Sequence, residues 1–129
     1  MALSIGLALG IGTCVFATAI GFDRDRAYYP TVMVVIAFIY TLFASMNGDT
    51  GTVLIESSVG VVFATVAVLG FKSHMWLVAA ALVSHGLFDV VHGQLIANAG
   101  VPQWWPAFCA SFDIAAGAYM AWRLRTSLA

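Results

Sequence analysis

The sequence predicts an all-α integral membrane protein: a bundle of five transmembrane helices, N-terminus outside and C-terminus cytoplasmic. Three observations carry that expectation. The chain of 129 residues is 62% hydrophobic and only 9% charged, where a soluble domain carries about a quarter charged residues. Its apolar residues fall into runs of about twenty, the length at which a helix crosses a bilayer. Of its five basic residues, Arg24 and Arg26 lie between the first and second runs, Lys72 between the third and fourth, and Arg123 and Arg125 at the end of the fifth. Five spans therefore place every positive charge on one side, which the positive-inside rule makes the cytoplasm.

The first span, roughly residues 2–21, opens with "MALSIGLALGIGTCVFATAIGF". It lacks the basic start of a secretory signal and is too long and apolar for one, so it reads as a retained span. Gly6 and Gly10 form a small-xxx-small pattern suited to helix packing or self-association. "FDRDRAYYP" then leads into a span at roughly 31–47, with Pro30 placed for a first helical turn. "NGDTG" is turn chemistry before the span at roughly 52–71, and "FKSH" is a short polar break before 75–98. "NAGVPQWWP" stops that helix with a glycine and two prolines before the last span, roughly 107–124. No repeat or linker interrupts the chain, so residues 1–129 read as a single polytopic domain in a cell membrane of the cytoplasmic type. Tyr28, Tyr29, Trp76 and Trp122 fall at the expected inner boundary, and Trp104 and Trp105 at the outer one, as interfacial aromatics do.

Several function classes drop out. A net charge of −1 gives no footprint for nucleic acid. Cys14 and Cys109 lie inside apolar runs and read as small core side chains rather than a disulfide framework. No phosphate-binding loop, dinucleotide fingerprint or nucleophile triad is present. Residues seven apart on one helix stand about 10.5 Å apart, so His85 and His92 cannot grip one haem iron from opposite faces, and haem would need one of them together with a residue from another chain.

What remains is a set of polar groups inside the spans. Asp23 and Asp25 alternate with Arg24 and Arg26 and read as a solvated, self-neutralising loop; Asp49 belongs to the outer turn, and His74 to a solvated break. Glu56, Asp89 and Asp113 fall within spans, where an ionisable group is costly and points to function. Counted at about 1.5 Å per residue from the outer ends, Glu56 lies roughly 8 Å deep, Asp113 and His92 roughly 9 Å, Asp89 roughly 14 Å and His85 roughly 20 Å. His85, Asp89 and His92 share an arc of about 60° on one helix face. Asp89-x-x-His92 has the spacing of carboxylate–histidine pairs in metal-binding helical bundles.

The candidate site is therefore an outward-facing intramembrane pocket of Glu56, His85, Asp89, His92 and Asp113, with Tyr40 and Asn47 as supporting hydrogen-bonders. Its most specific reading is a divalent-metal site for zinc, iron or manganese, with hydrolytic or redox chemistry on a lipid-like substrate as an extension. Two other readings use the same residues: helix glue in a structural or accessory subunit of a membrane complex, and a proton- or ion-coupled transport element. No catalytic residue is assigned. The partners expected are the lipid bilayer and, with so little mass outside it, further copies of the chain or a larger membrane complex.

The topology makes a direct prediction. In sealed cells, a cysteine introduced at Asp49 reacts with a membrane-impermeant thiol reagent from outside, whereas Lys72→Cys reacts only after permeabilisation. The reverse pattern contradicts the five-span arrangement.

Overall fold

The computed structural model describes residues 1–128, and these form helices joined by short connections. Helix α1 is Ala2–Ile20, α2 is Tyr28–Ala37, α3 is Ile39–Asn47, α4 is Thr50–Lys72, α5 is Trp76–Leu95 and α6 is Trp105–Leu128. A single turn of 3₁₀ helix, Phe22–Arg24, lies between α1 and α2. Four stretches are long and apolar enough to cross a membrane: Ala2–Ile20, Tyr28–Asn47, Thr50–Lys72 and Trp76–Leu95. Helix α6 matches them in length, with 24 residues, but glycine, serine, tryptophan, tyrosine and Asp113 dilute its apolar character.

The second predicted span is two helices rather than one. Helix α2 ends at Phe38, whose φ and ψ of −106° and 5° leave the helical region, and its N–H bonds the Val35 carbonyl in a tighter turn. There is no proline at the break. The Ala37 carbonyl and the Phe38 ring lie hard against Gly60 of α4, where even a methyl group would stand 2.7 Å from that carbonyl oxygen. The break thus coincides with the closest approach of the two helices, and it sets the direction from which Tyr40 enters the bundle two residues later.

Backbone proximity explains most of the packing. Helix α6 lies between α1 and α5, α5 packs on α4, and α4 packs on α2 and α3. A methyl at Gly6 would collide with the Ser111 hydroxyl and the Phe108 carbonyl of α6. The "GLALG" pattern is thereby used within the chain, to bring α1 onto α6. On the other side of α6, Gly86 of α5 lets the Ala110 carbonyl approach to 2.9 Å of where a Cβ would stand.

The core sits in the half of the bundle that holds the α1–α2 and α4–α5 turns. Met33, Val78, Leu82 and Met120 are fully buried there, with Ala17, Ala67 and Ala79 filling the narrower gaps. Tyr29 belongs to this core rather than to an interfacial belt, being 5% exposed. By contrast, Leu54, Val61, Val62, Leu87 and Val90 point outward. So many exposed aliphatic side chains around buried acids and imidazoles invert the arrangement of a water-soluble protein.

The turns are clasped. Asp49 caps α4, accepting hydrogen bonds from the Gly51 and Thr52 N–H groups and the Thr52 hydroxyl. The Thr52 hydroxyl, and then its N–H, hold the Asp49 carboxyl below its ordinary range. A depressed carboxyl stabilises the fold above its unfolded pKa, and that contribution is lost as pH falls through the folded value. At the opposite end, Arg26 donates to the Phe71 and Ser73 carbonyls at the C-terminus of α4, where a cation also meets the helix dipole favourably.

Asp23 corrects the expectation of a solvated loop. Its side chain is 2% exposed, pairs with Arg123 of α6 at 3.3 Å, and accepts a hydrogen bond from Thr18 at 2.5 Å. The alternation Asp–Arg–Asp–Arg suggested local neutralisation, but the turn instead points Asp23 inward, where the C-terminal end of α6 supplies its partner.

The glycine contact gives a stability prediction. Gly6→Ala destabilises the purified protein by about 1–3 kcal/mol through overpacking against α6. Gly12→Ala, where an added methyl meets nothing within 4 Å, instead stabilises by about 0.5–1 kcal/mol through helix propensity. Unfolding curves in detergent separate the two, and equal effects contradict the packing described.

Candidate functional site

Helix α5 supplies the spine of the site. His85, Asp89 and His92 lie on one face and are 2%, 0% and 2% exposed. Glycine at position 86 draws α6 close, and Asp113 is brought opposite His85. Asp113 stands eight residues into α6 and His85 ten from the end of α5, about 12 and 15 Å along their helices. Glu56 enters from α4 and Tyr40 from α3, both buried.

These groups form two linked sets rather than one pocket. In the first, His85 Nδ1 lies 2.7 Å from Asp113 Oδ2 and 3.6 Å from Asp89 Oδ2. One ligand atom from each of His85, Asp89 and Asp113 falls within 4.8 Å of the others. In the second, His92 Nε2 lies 2.7 Å from Glu56 Oε1, and the Asn98 side-chain amide donates to that same oxygen at 2.9 Å. Tyr40 joins the sets. Its hydroxyl donates to Asp89 Oδ1 at 2.7 Å, while its ring stacks on His92 with centroids 3.7 Å apart and planes 7° from parallel. Phe63 meets His85 edge-on at 4.8 Å, and Phe88 meets His92 at 5.4 Å. The imidazoles therefore sit among aromatic rings.

The sequence placed Asp113 at the level of His92, and the structure places it beside His85. The difference comes from the connection 96–104, which does not extend α5. That helix ends at Leu95, and Ile96 is extended, with φ and ψ of −130° and 122°. Shortening α5 at its C-terminal end brings His85 nearer the Asp113 level. It also turns Asn98, expected as the last residue of the span, back over the bundle, where it bonds Glu56 and the Tyr40 carbonyl at 3.1 Å.

Of the two residues expected beside the cluster, Tyr40 meets Asp89 and His92, and Asn47 meets neither. Asn47 is exposed at the end of α3, and its side chain makes no hydrogen bond among the described residues. The amide that reaches the cluster is Asn98, which bonds Glu56 and the Tyr40 carbonyl. The available sequence signal was an amide in an otherwise apolar connection, directly before the small residues Ala99 and Gly100. Gly100 packs against the Phe43 carbonyl so closely that no larger residue fits, which holds the connection down on the bundle.

The two sets differ in how completely they are satisfied. Glu56 Oε1 accepts from both His92 and Asn98. In the His85 set, Asp89 Oδ2 and Asp113 Oδ1 are buried without a hydrogen-bond partner among the described residues. One imidazole nitrogen carries at most one proton, so His85 Nδ1 cannot satisfy both carboxylates. Two buried acids and one imidazole thus have more acceptors than donors, and more negative than positive charge when ionised. Cys109, one turn before Asp113, is buried and free but does not belong to the three-residue cluster.

Comparison of the chain with family models, with curated proteins and with solved structures gives no significant match. The site's own geometry is what the functional reading stands on.

Proposed function

We propose that the chain is a multi-pass membrane protein whose buried His85, Asp89 and Asp113 hold a divalent metal ion. The observation that carries this reading is the pair of unpartnered oxygens, Asp89 Oδ2 and Asp113 Oδ1, in a cluster whose ligand atoms already converge within 4.8 Å. Leaving such oxygens buried and unsatisfied costs about 1–3 kcal/mol each, and more when charged. A doubly charged cation balances two carboxylates and a neutral imidazole without remainder. One nitrogen and two oxygen donors suit zinc, iron or manganese rather than copper(I) or an iron–sulfur cluster.

The surrounding residues support that role. Tyr40 donates to Asp89 Oδ1, which leaves Oδ2 as the oxygen facing His85 and Asp113 and fixes the carboxylate's orientation, as partners behind metal ligands do. Phe63 and Phe88 exclude water from the imidazole side. Glu56, His92 and Asn98 satisfy one another and fasten α4, α5 and the 96–104 connection together. Three protein ligands leave an open position, and a divalent ion held this way supplies either an activated water near neutral pH or a redox centre. A lipid-like substrate is the natural one for a site at this depth. The membrane assigned is of the cytoplasmic type, with the N-terminus outside, because the basic residues cluster at one end of the bundle.

Elemental analysis of the detergent-purified chain tests the reading. After supply of zinc, iron or manganese, the protein retains metal stoichiometrically, and Asp89→Asn and Asp113→Asn abolish retention. Glu56→Gln retains it, since Glu56 lies in the other set. Tyr40→Phe retains the site but weakens affinity by about 10–100-fold. Lowering the pH releases the ion, because imidazole and carboxylate ligate only when deprotonated. A wild-type chain that binds none of the three metals overturns the proposal.

A further inference from the structure

His85, Asp89 and Asp113 are sealed, at 2% exposure or less, so an ion reaches them only where the bundle opens. Three directions are closed to it. Toward the α1–α2 and α4–α5 turns stand the fully buried Met33, Leu82 and Met120, and all five Lys and Arg residues of the chain lie at that end. Sideways, α5 and α6 meet backbone to side chain: a Cβ at Gly86 would stand 2.9 Å from the Ala110 carbonyl, and one at Gly117 3.1 Å from the Ala79 carbonyl. The groove between α1 and α2 has Asp25, Tyr28 and Thr31 at its turn end, but Val32, Val35 and Ile36 follow them along α2. A divalent ion that leaves water for such aliphatic surroundings has nothing to replace its hydration.

The fourth direction is polar from the surface inward. Residues 96–104 form no helix and cover the end of the bundle that has no Lys or Arg. Their backbone hydrogen bonds from Val101 to Asn98 and from Trp105 to Pro102 run within the connection. Among the described residues, its hydrogen bonds to α3 and α4 come from one group, the Asn98 amide, which donates to the Tyr40 carbonyl and to Glu56 Oε1. Directly beneath, Glu56 Oε1 meets His92 Nε2, and the Tyr40 ring lies on His92 while its hydroxyl reaches Asp89. Asp89 is one turn from His92, about 4.5 Å along α5. Carboxylate, imidazole, phenol and carboxylate thus follow one another from the connection to the three-residue cluster.

From this we infer that the 96–104 connection is the gate through which a divalent ion reaches His85, Asp89 and Asp113. Asn98 is its latch, and Glu56 and His92 are the first ligands the ion meets. When Asn98 withdraws, Glu56 Oε1 loses one of its two donors, and the freed carboxylate faces the opening. The ion then passes Tyr40 to Asp89, one turn deeper. The gate follows from the connection itself, and it rests on the metal-site reading only for the identity of what passes.

Thiol labelling of the detergent-purified full chain tests the gate. Both cysteines are free and buried. Cys109 lies one turn into α6 from Trp105, where the connection ends, and Cys14 belongs to the core of the other half. A charged methanethiosulfonate reagent is added, and modification of each cysteine is followed by mass spectrometry. Asn98→Ala is expected to raise the rate at Cys109 several-fold and to leave Cys14 unchanged. Gly100→Ala, which pushes the connection off the Phe43 carbonyl, gives the same pattern. Zinc uptake by the chelator-treated samples becomes several-fold faster in Asn98→Ala, with the same final stoichiometry. It becomes several-fold slower in Glu56→Gln, which keeps an acceptor for Asn98 but removes the charge. An unchanged Cys109 rate in both connection variants, or an equal rise at the two cysteines, overturns the gate. Zinc uptake that Glu56→Gln leaves unchanged overturns the route past Glu56 and His92. Bound zinc with an unmoved Cys109 rate overturns the gate alone, and selective Cys109 labelling with no zinc in any form overturns the metal site alone.

Discussion

Buried acids and imidazoles have to find one another inside an apolar bundle, and that requirement sets the rotation of four helices here. Glu56, His85, Asp89, His92 and Asp113 are all 2% exposed or less. Away from water, each unpaired polar group costs several kcal/mol. Small-residue packing alone is permissive, because alanine and glycine faces let helices rotate and slide past one another. The bonds from His85 to Asp113, from His92 to Glu56 and from Tyr40 to Asp89 remove that freedom. They fix α6, α4 and α3 each against α5. The break at Phe38 is part of the same solution, since α2 packs on α4 as one segment and α3 carries Tyr40 as another.

The His92 and His85 sets illustrate what pairing can and cannot accomplish. Glu56, His92 and Asn98 need nothing further: donors and acceptor match, and the result is a clasp between two helices and a connection. His85, Asp89 and Asp113 converge as closely but remain short of donors and positive charge. Fastening helices would be served by either arrangement, and the complete one serves it better. The incomplete one keeps unpaired oxygens in a cluster that could hold a metal ion. Of its three residues, Asp113 also borders a groove between α1 and α2.

Much of this was legible in the sequence because of periodicity. Helical spacing put His85, Asp89 and His92 on one face, and the rarity of ionisable groups in apolar runs singled out Glu56 and Asp113. Their inward orientation follows from the cost of the alternative. What periodicity does not encode is where helices end and bend. The break at Phe38 carries no proline or glycine of its own, and its nearest cause, Gly60, lies on another helix. The early end of α5 at Leu95 is likewise a tertiary effect, secured by Asn98 reaching Glu56 and by Gly100 fitting under Phe43. Those two departures shifted Asp113 from His92 to His85 and exchanged Asn47 for Asn98. Asp23 was misjudged for a related reason: its partner, Arg123, is a hundred residues away along the chain, whereas its sequence neighbours offered a plausible local pairing.

The most direct measurement on the central claim is X-ray absorption at the metal edge of the zinc-loaded, detergent-purified protein. The arrangement of His85, Asp89 and Asp113 predicts a first shell of nitrogen and oxygen only, at about 2.0–2.2 Å, with the outer-shell scattering of a single imidazole. A scatterer at about 2.3 Å would place a Cys109 or Cys14 thiolate on the metal, and two-imidazole scattering would bring in His92. Either result contradicts the account.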